Sequence, residues 1–281
     1  MKLGVSSYSF SKLMARGEMD LVGVVDWVAA SPAEHLEIAA LGDDLLTDDK
    51  LVETVVKAAG DRGVPILNYL IGADFREGDS SEIDRVRRHV DVGHRLGARL
   101  FRHDVLPWGW REANQAEFEK VFPQLVEGAQ VIADHAAELG ITTTVENHGM
   151  SMNGHERIAR LVHAVGRPNF RVTLDLGNGL CVGEVPGRTV SGLLDVAAAA
   201  HVKDFHIRRS IPSDGWLKTL AGDYLLGTIP GHGDLDLRAL LALVATKPDL
   251  PVTLEFEGLE AAPGAVELGL KNVLALAEGA S

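Results

Sequence analysis

The sequence predicts an α/β fold: a single-domain (β/α)8 barrel of the TIM type spanning residues 1–281. Three observations lead there. First, a joint recurs in which a helical pattern stops at a glycine and an apolar run begins about two residues later; it occurs at Gly63 before ILNYLIG, at Gly97 before LFRHDV and at Gly140 before TTTVEN. Second, eight apolar or β-branched runs alternate with helical patterns along the chain. Third, connections from helix to strand are short, whereas those from strand to helix are often long and carry unusual side chains.

A glycine after a helix supplies the left-handed cap, and the short link that follows fits a repeated βα unit. The candidate strands are Leu3–Ser7, His35–Ala39, Ile66–Ile71, Leu100–Val105, Thr142–Glu146, Val172–Leu176, His201–His206 and Val252–Phe256. Between them, Leu51, Val52, Val55, Val56 and Ala59 stand at helical spacing behind Thr47, which reads as an N-cap with Asp48 and Asp49 in the first turn. Ile83, Val86, Val90 and Leu96 repeat the pattern, as do Leu237, Leu240, Leu241 and Val244. Pro123 lies inside a long helical stretch and predicts a kink or a separated first turn. Strands alternating with helices in this way close into a parallel barrel. An open doubly wound sheet is the alternative, weakened because no GxGxxG follows the first strand. A barrel gathers its strand-to-helix loops on the C-terminal face, here Ser6–Met19, Asp104–Glu112 with Trp108 and Trp110, Asn147–Gly154 and Arg208–Gly233. Function is to be sought there.

Composition excludes several classes. The formal net charge is −13, the wrong sign for a binder of nucleic acid backbone or anionic membrane. One cysteine, Cys181, allows no internal disulfide; it reads as a packed small residue rather than a nucleophile. The segment MKLGVSSYSF has no apolar signal region, and no apolar run approaches the roughly 18 residues of a membrane span. A cytoplasmic protein with a small-molecule partner is the expectation, and a homo-oligomer is compatible with it.

The chemistry concentrates at strand ends. In TTTVENHG, the β-branched residues Thr142, Thr143, Thr144 and Val145 make a buried strand that ends on Glu146. Burying a carboxylate is costly unless something pairs with it. The next strands carry Asp175 in RVTLDLGN, His201 in HVKDFH and Glu255 in VTLEFEG. Each has an ordinary explanation. Glu146 can pair with an arginine or an amide, Asp175 can cap the turn at Gly177, and His201 can be a satisfied core histidine. Glu255 competes with Glu257 on the same face at period two. Together, however, three carboxylates and an imidazole at four consecutive strand ends form a hard, oxygen-rich ligand set. It suits one divalent ion, Mn²⁺ or Mg²⁺, with Co²⁺ and Zn²⁺ also compatible.

The segments KLGVSSYSF, TVENHG, TLDLGNG, HVKDF, GHGDLDL and TLEFEG, in this order over nearly the whole chain, resemble the xylose isomerase-like TIM barrel superfamily, which contains sugar phosphate isomerases/epimerases, ketose 3-epimerases and the endonuclease IV type of AP endonuclease. The resemblance implies a metal held by Glu146, Asp175, His201 and Glu255. It also implies that Glu146 and Glu255 serve as the acid/base pair of a metal-dependent sugar isomerase or epimerase acting on a ketose-like sugar or sugar phosphate through an enediolate. A carbon acid α to a carbonyl is too weak for an unaided carboxylate, so a cation on the substrate oxygens is required. The family's epimerases carry a histidine three residues after the strand-six aspartate; here Asn178 stands at that substrate-contact position. Endonuclease IV needs extra histidines on early strands, where this chain offers Asn68 and Tyr69. The alternatives are a metal-dependent dehydratase of a keto-polyol, a phosphodiester endonuclease, and a non-catalytic sugar-binding barrel.

Further substrate-side candidates follow from position. Lys203 shares the parity of His201 and can contact substrate oxygens, and His148 directly follows the strand-five end. Tyr8 and Trp108 lie on loops of the C-terminal face, where aromatics wall off a sugar. Arg208 opens a long loop and can grip an anion. Glu37, on strand two, can orient a ligand or substrate. The GHGD turn, Gly231–Asp234, either presents amides to an anion or is a plain helix start capped by Asp234.

Overall fold

The computed structural model describes residues 1–279. Seven strands, β1 (Leu3–Ser6), β2 (Leu36–Ala39), β3 (Ile66–Ile71), β4 (Leu100–His103), β5 (Thr142–Glu146), β6 (Phe170–Asp175) and β7 (Ala197–Val202), are followed by three that leave the barrel, β8 (Asp204–Arg208), β9 (Leu217–Lys218) and β10 (Tyr224–Thr228), and then by β11 (Val252–Leu254). Strands β1 to β7 and β11 close a barrel in which β11 pairs with both β7 and β1. Every barrel pairing is parallel. The expected barrel is therefore the observed one.

The helices are α1 (Ser11–Ala15), α2 (Leu21–Ala29), α3 (Asp44–Thr47), α4 (Asp49–Arg62), α5 (Ser80–Arg95), α6 (Gln115–Glu138), α7 (His155–Val165), α8 (Pro186–Leu193), α9 (Leu237–Ala245) and α10 (Gly264–Glu278). They turn stripes of Val, Leu, Ile and Ala inward. In α4 the buried residues are Val52, Val55, Ala58 and Ala59, and in α9 they are Leu237, Leu240, Leu241 and Val244. These stripes and the outward faces of the strands form one continuous apolar layer. The three joints noted in the sequence take φ of 66° at Gly63, 77° at Gly97 and 70° at Gly140. Those are left-handed conformations in which a side chain would be strained.

Four local expectations shift. The cap of α4 is Asp48, whose side chain accepts from the amides of Lys50 and Leu51, while Thr47 closes the short α3. Helix α6 runs unbroken through Pro123; packing of its buried face, Phe118, Phe122, Leu125 and Ala129, outweighs one missing hydrogen bond. Strand seven begins at Ala197 and ends at Val202, so His201 sits near its C-terminal end rather than at its start. The run AAAA has low strand propensity and conceals the earlier boundary. Finally, the long loop after strand seven is largely built: β8, β10 and β9 form an antiparallel sheet in which Tyr224 to Thr228 pair with Arg208 to Asp204. Its inner side packs Cys181 with Phe205 and Leu225.

Candidate metal centre and active-site cavity

The inward faces of the strands carry the polar residues that their alternation predicts. Register places Asp175 of β6 beside His201 of β7, and His201 beside Thr253 of β11. Glu146 of β5 is level with Thr173, and Glu255 follows the end of β11. One ligand-type atom from each of Glu146, Asp175, His201 and Glu255 lies within 4.8 Å of the others, and all four residues are buried. Donors this close together could share one divalent ion. No second such group occurs among the described residues.

Two atoms in this cluster are buried and lack a directed hydrogen bond: His201 Nδ1, and Asp175 Oδ2, whose one charge contact is the Lys203 ammonium at 3.2 Å. Asp175 Oδ1 accepts from the amides of Gly177 at 2.9 Å and Asn178 at 2.6 Å, which fixes the carboxylate and turns Oδ2 toward the cluster. Imidazole Nδ1 of His201 is 3.6 Å from Glu146 Oε1 and 3.8 Å from Glu255 Oε2, beyond hydrogen-bond reach. A hard cation between these groups would satisfy both atoms at once, so the residues fit a divalent metal of the Mg²⁺ or Mn²⁺ kind.

The electrostatics are those of crowded carboxylates. Burial, partly offset by Lys203 and reinforced by Glu146 and Glu255, raises Asp175 to about 6. Burial also works against ionising Glu146, but Arg102 and His201 outweigh it and hold Glu146 well below the ordinary range. Glu255 is likewise lowered, because Lys203 and His201 outweigh its desolvation. For His201, burial is opposed by Glu37, Glu146 and Glu255, which carry it well above the usual histidine range. A cation would relieve this competition by replacing a proton among the acids.

Other side chains hold these four groups in place. Arg102 Nε lies 2.9 Å from Glu146 Oε2, and its Nη2 lies 2.9 Å from Asp104 Oδ1. The first contact is a close charge pair rather than a directed hydrogen bond, since the Nε hydrogen finds no aligned acceptor. Asn178 Nδ2 donates to Glu146 Oε1 at 2.9 Å. The Lys203 ammonium donates to Glu255 Oε2 and Glu257 Oε1, both at 2.6 Å, and is 3.2 Å from Asp175 Oδ2. Asn147 clamps the backbone of Asp175, donating to its carbonyl at 3.0 Å and accepting from its amide at 2.8 Å.

Above the cluster opens a cavity of about 440 Å³, with Glu146 and Glu255 at its base and Tyr8, Arg102, Trp108 and His148 among its walls. His148 Nδ1 is 3.0 Å from Asp104 Oδ1. Burial disfavours its charged form, but Asp104 outweighs this and raises it. The wall at Trp108 depends on Gly149, whose φ is +80° and where a Cβ would lie 2.7 Å from the Trp108 carbonyl oxygen.

The structure thus gathers Glu146, Asp175, His201 and Glu255, backs them with Asn178, Lys203 and Glu37, and sets Tyr8, Trp108 and His148 around the cavity. It does not bring Arg208 there: that side chain is exposed at the end of β8, 5.6 Å from the Trp216 ring centroid and 3.7 Å from Asp234. Trp110 is turned away from the cavity, under Arg76 at 5.3 Å. The amides of the GHGD turn are occupied by Asp204, which accepts from Gly231 and Gly233 at 2.9 Å each, and Asp236 rather than Asp234 caps α9. Sequence reasoning passed over Arg102, Asp104 and Asn147. The first two had a readable signal, an Arg-x-Asp at period two on a strand end.

The model of the family described as "xylose isomerase-like TIM barrel" matches residues 25–275. No curated protein matches the chain by sequence. Among solved structures, a xylose isomerase-like TIM barrel/4-hydroxyphenylpyruvate dioxygenase fusion protein is 21% identical with a TM-score of 0.73; the match covers 100% of this chain but 43% of that one. A 3-keto-D-glucoside 4-epimerase from E. coli is 15% identical, TM-score 0.73, over 98% of this chain and 99% of the other. A probable 3-DHS dehydratase from Bacillus anthracis is 15% identical, TM-score 0.74, over 98% of each. At these identities the structural likenesses establish the fold. No helix among the described residues is long and apolar enough to cross a membrane.

Proposed function

We propose a divalent-metal-dependent isomerase or epimerase of a ketose-like sugar or sugar phosphate, starting from one premise: the chain belongs to the xylose isomerase-like TIM barrel family. One observation carries the reading. Glu146 and Glu255 converge at the base of a cavity, in a cluster with Asp175 and His201 whose ligand atoms lie within 4.8 Å of one another. Two structural relatives are named as a 3-keto-D-glucoside 4-epimerase and a probable 3-DHS dehydratase.

A divalent cation held by Glu146, Asp175, His201 and Glu255 would supply the positive charge that stabilises an enediolate. The remaining work falls to the side chains. Arg102 and Asn178 keep the Glu146 carboxylate ionised and aimed, and Lys203 does the same for Glu255. One of the two carboxylates takes the proton α to the substrate carbonyl, and the other returns a proton to the opposite face. Tyr8 and Trp108 wall the cavity against bulk water, and His148 offers Nε2 to a substrate hydroxyl.

A second reading, dehydration of a keto-polyol, is favoured by His148. Its charged form is stabilised by Asp104, so it can protonate a departing β-hydroxyl. Both readings begin with the same deprotonation. The Mn²⁺-loaded protein, incubated in D₂O with ketoses, keto-polyols and their phosphates and followed by NMR, separates them. Deuterium at the α carbon with all oxygens retained supports isomerisation or epimerisation, whereas loss of water supports the dehydratase. Turnover unchanged by Glu255→Gln sinks the two-carboxylate mechanism.

A further inference from the structure

A column of hydrogen bonds descends the barrel axis from the centre. His201 Nε2 lies 2.8 Å from Glu37 Oε2, Thr253 Oγ1 donates to Glu37 Oε1 at 2.7 Å, and His35 Nε2 is 2.9 Å from Thr253 Oγ1. All four side chains are buried, Glu37, Thr253 and His201 completely. Asn68 adds a longer contact to Glu37 Oε2 at 3.4 Å. At the foot of the column the fold leaves room for the His35 ring only because residue 4 is glycine: a Cβ there would lie 2.2 Å from the ring.

The column has a direction. A carboxylate only accepts hydrogen bonds, so the His201 nitrogen facing Glu37 carries a proton. The Thr253 hydroxyl spends its one proton on Glu37 and therefore accepts from His35 Nε2–H. Every link points its proton toward Glu37, so Glu37 is satisfied without taking part in the cluster above. His201 Nε2 is thereby committed, and Nδ1, which is buried, has no hydrogen-bond partner and faces Glu146 and Glu255, is the nitrogen left for a ligand. An apolar residue would fill the layer of Glu37 without the cost of burying a carboxylate; the arrangement has a use if the charge must orient His201 and increase its basicity.

We infer that Glu37, braced from below by Thr253 and His35, is the positioning residue of the metal centre, and that it makes Nδ1 rather than Nε2 the ligand atom of His201. The inference rests on the metal-dependent reading proposed above. It concerns no substrate, so it is tested by binding alone. The full chain, stripped with a chelator and titrated with Mn²⁺ by calorimetry and by EPR of the free ion, is compared with Glu37→Gln and Thr253→Val. Glu37→Gln is expected to weaken Mn²⁺ binding about 10–100-fold, and Thr253→Val, which deletes only the bracing hydroxyl, several-fold. ¹⁵N NMR of the histidines in the Mg²⁺-loaded protein is expected to show a protonated Nε2 and a ligated Nδ1 at His201.

A purely structural role for Glu37 predicts a different pattern: a lower melting temperature of the metal-free variants with Mn²⁺ affinity unchanged. That pattern, or ligation through Nε2, overturns the inference while leaving the metal reading intact. Failure of the unaltered chain to take up Mn²⁺ or Mg²⁺ overturns the metal reading itself, and the inference with it.

Discussion

Arg102 and Glu146 stand on neighbouring strands with guanidinium Nε 2.9 Å from carboxylate Oε2, both side chains buried. The same guanidinium reaches Asp104 at 2.9 Å, and Asp104 in turn meets His148. One arginine thus links the floor of the cavity to its wall.

Removing that arginine strands two buried carboxylates. Arg102→Met is expected to cost about 3–5 kcal/mol, the usual penalty for breaking a buried ion pair from one side. Urea unfolding of the metal-free protein measures it. A loss below 1 kcal/mol would mean that water already screens Glu146.

Cation binding should stabilise the fold. At a hundredfold excess of free ion over Kd, ligand linkage contributes about 2.7 kcal/mol, which raises the melting temperature of a chain of this size by roughly 5 °C. Scanning calorimetry with Mn²⁺ or Mg²⁺, against a chelator control, reads the shift. Identical melting curves in all three conditions count against a metal centre.

Glu255 and Glu257 share one Lys203 ammonium at 2.6 Å each, yet only Glu255 joins the cluster. Once a substrate is found, Glu255→Gln is expected to lower kcat by about 10²–10⁴-fold. Glu257→Gln, on the outer side of the lysine, is expected to lower it less than about tenfold, the range of a modest hydrogen-bond loss. Equal losses would show that the lysine network acts as one unit.

His103 gives a pH dependence away from the cluster. It is buried among Phe75, Phe101 and Phe170, with Nδ1 on the carbonyl of Asp104 at 2.8 Å. Burial pushes it down to about 4. The folded state therefore refuses a proton that the unfolded chain accepts below about 6.5. Its contribution is fully present above that pH and is lost as pH falls from about 6.5 to about 4, by about 3 kcal/mol in total. Denaturation across this window, compared with His103→Phe, should show a shallower decline in the variant. A decline of the same slope in both assigns the acid limb to other groups.

Much of the architecture could be read from the chain because it is a local matter. Gly63, Gly97 and Gly140 mark where helices must stop, since a left-handed residue is needed at that point whatever surrounds it. Strands β3 and β5 run over the residues their β-branched and apolar runs announce. Strand seven did not, because alanine is a poor strand former and only pairing with β6 on one side and β11 on the other makes AAAAHV extended.

The centre divides along the same line. Which residue types stand at four strand ends is written in order along the chain, and period two decides that they face inward. Their partners are not: Arg102 and Glu146 are separated by a whole helix, and Glu37 meets His201 across the barrel over 164 positions. Such contacts depend on closure of the barrel, which brings strand two within reach of strand seven past β1 and β11 and buries the space between them. Only then does a buried carboxylate have to find its particular donor, and only then does one nitrogen of His201 become different from the other.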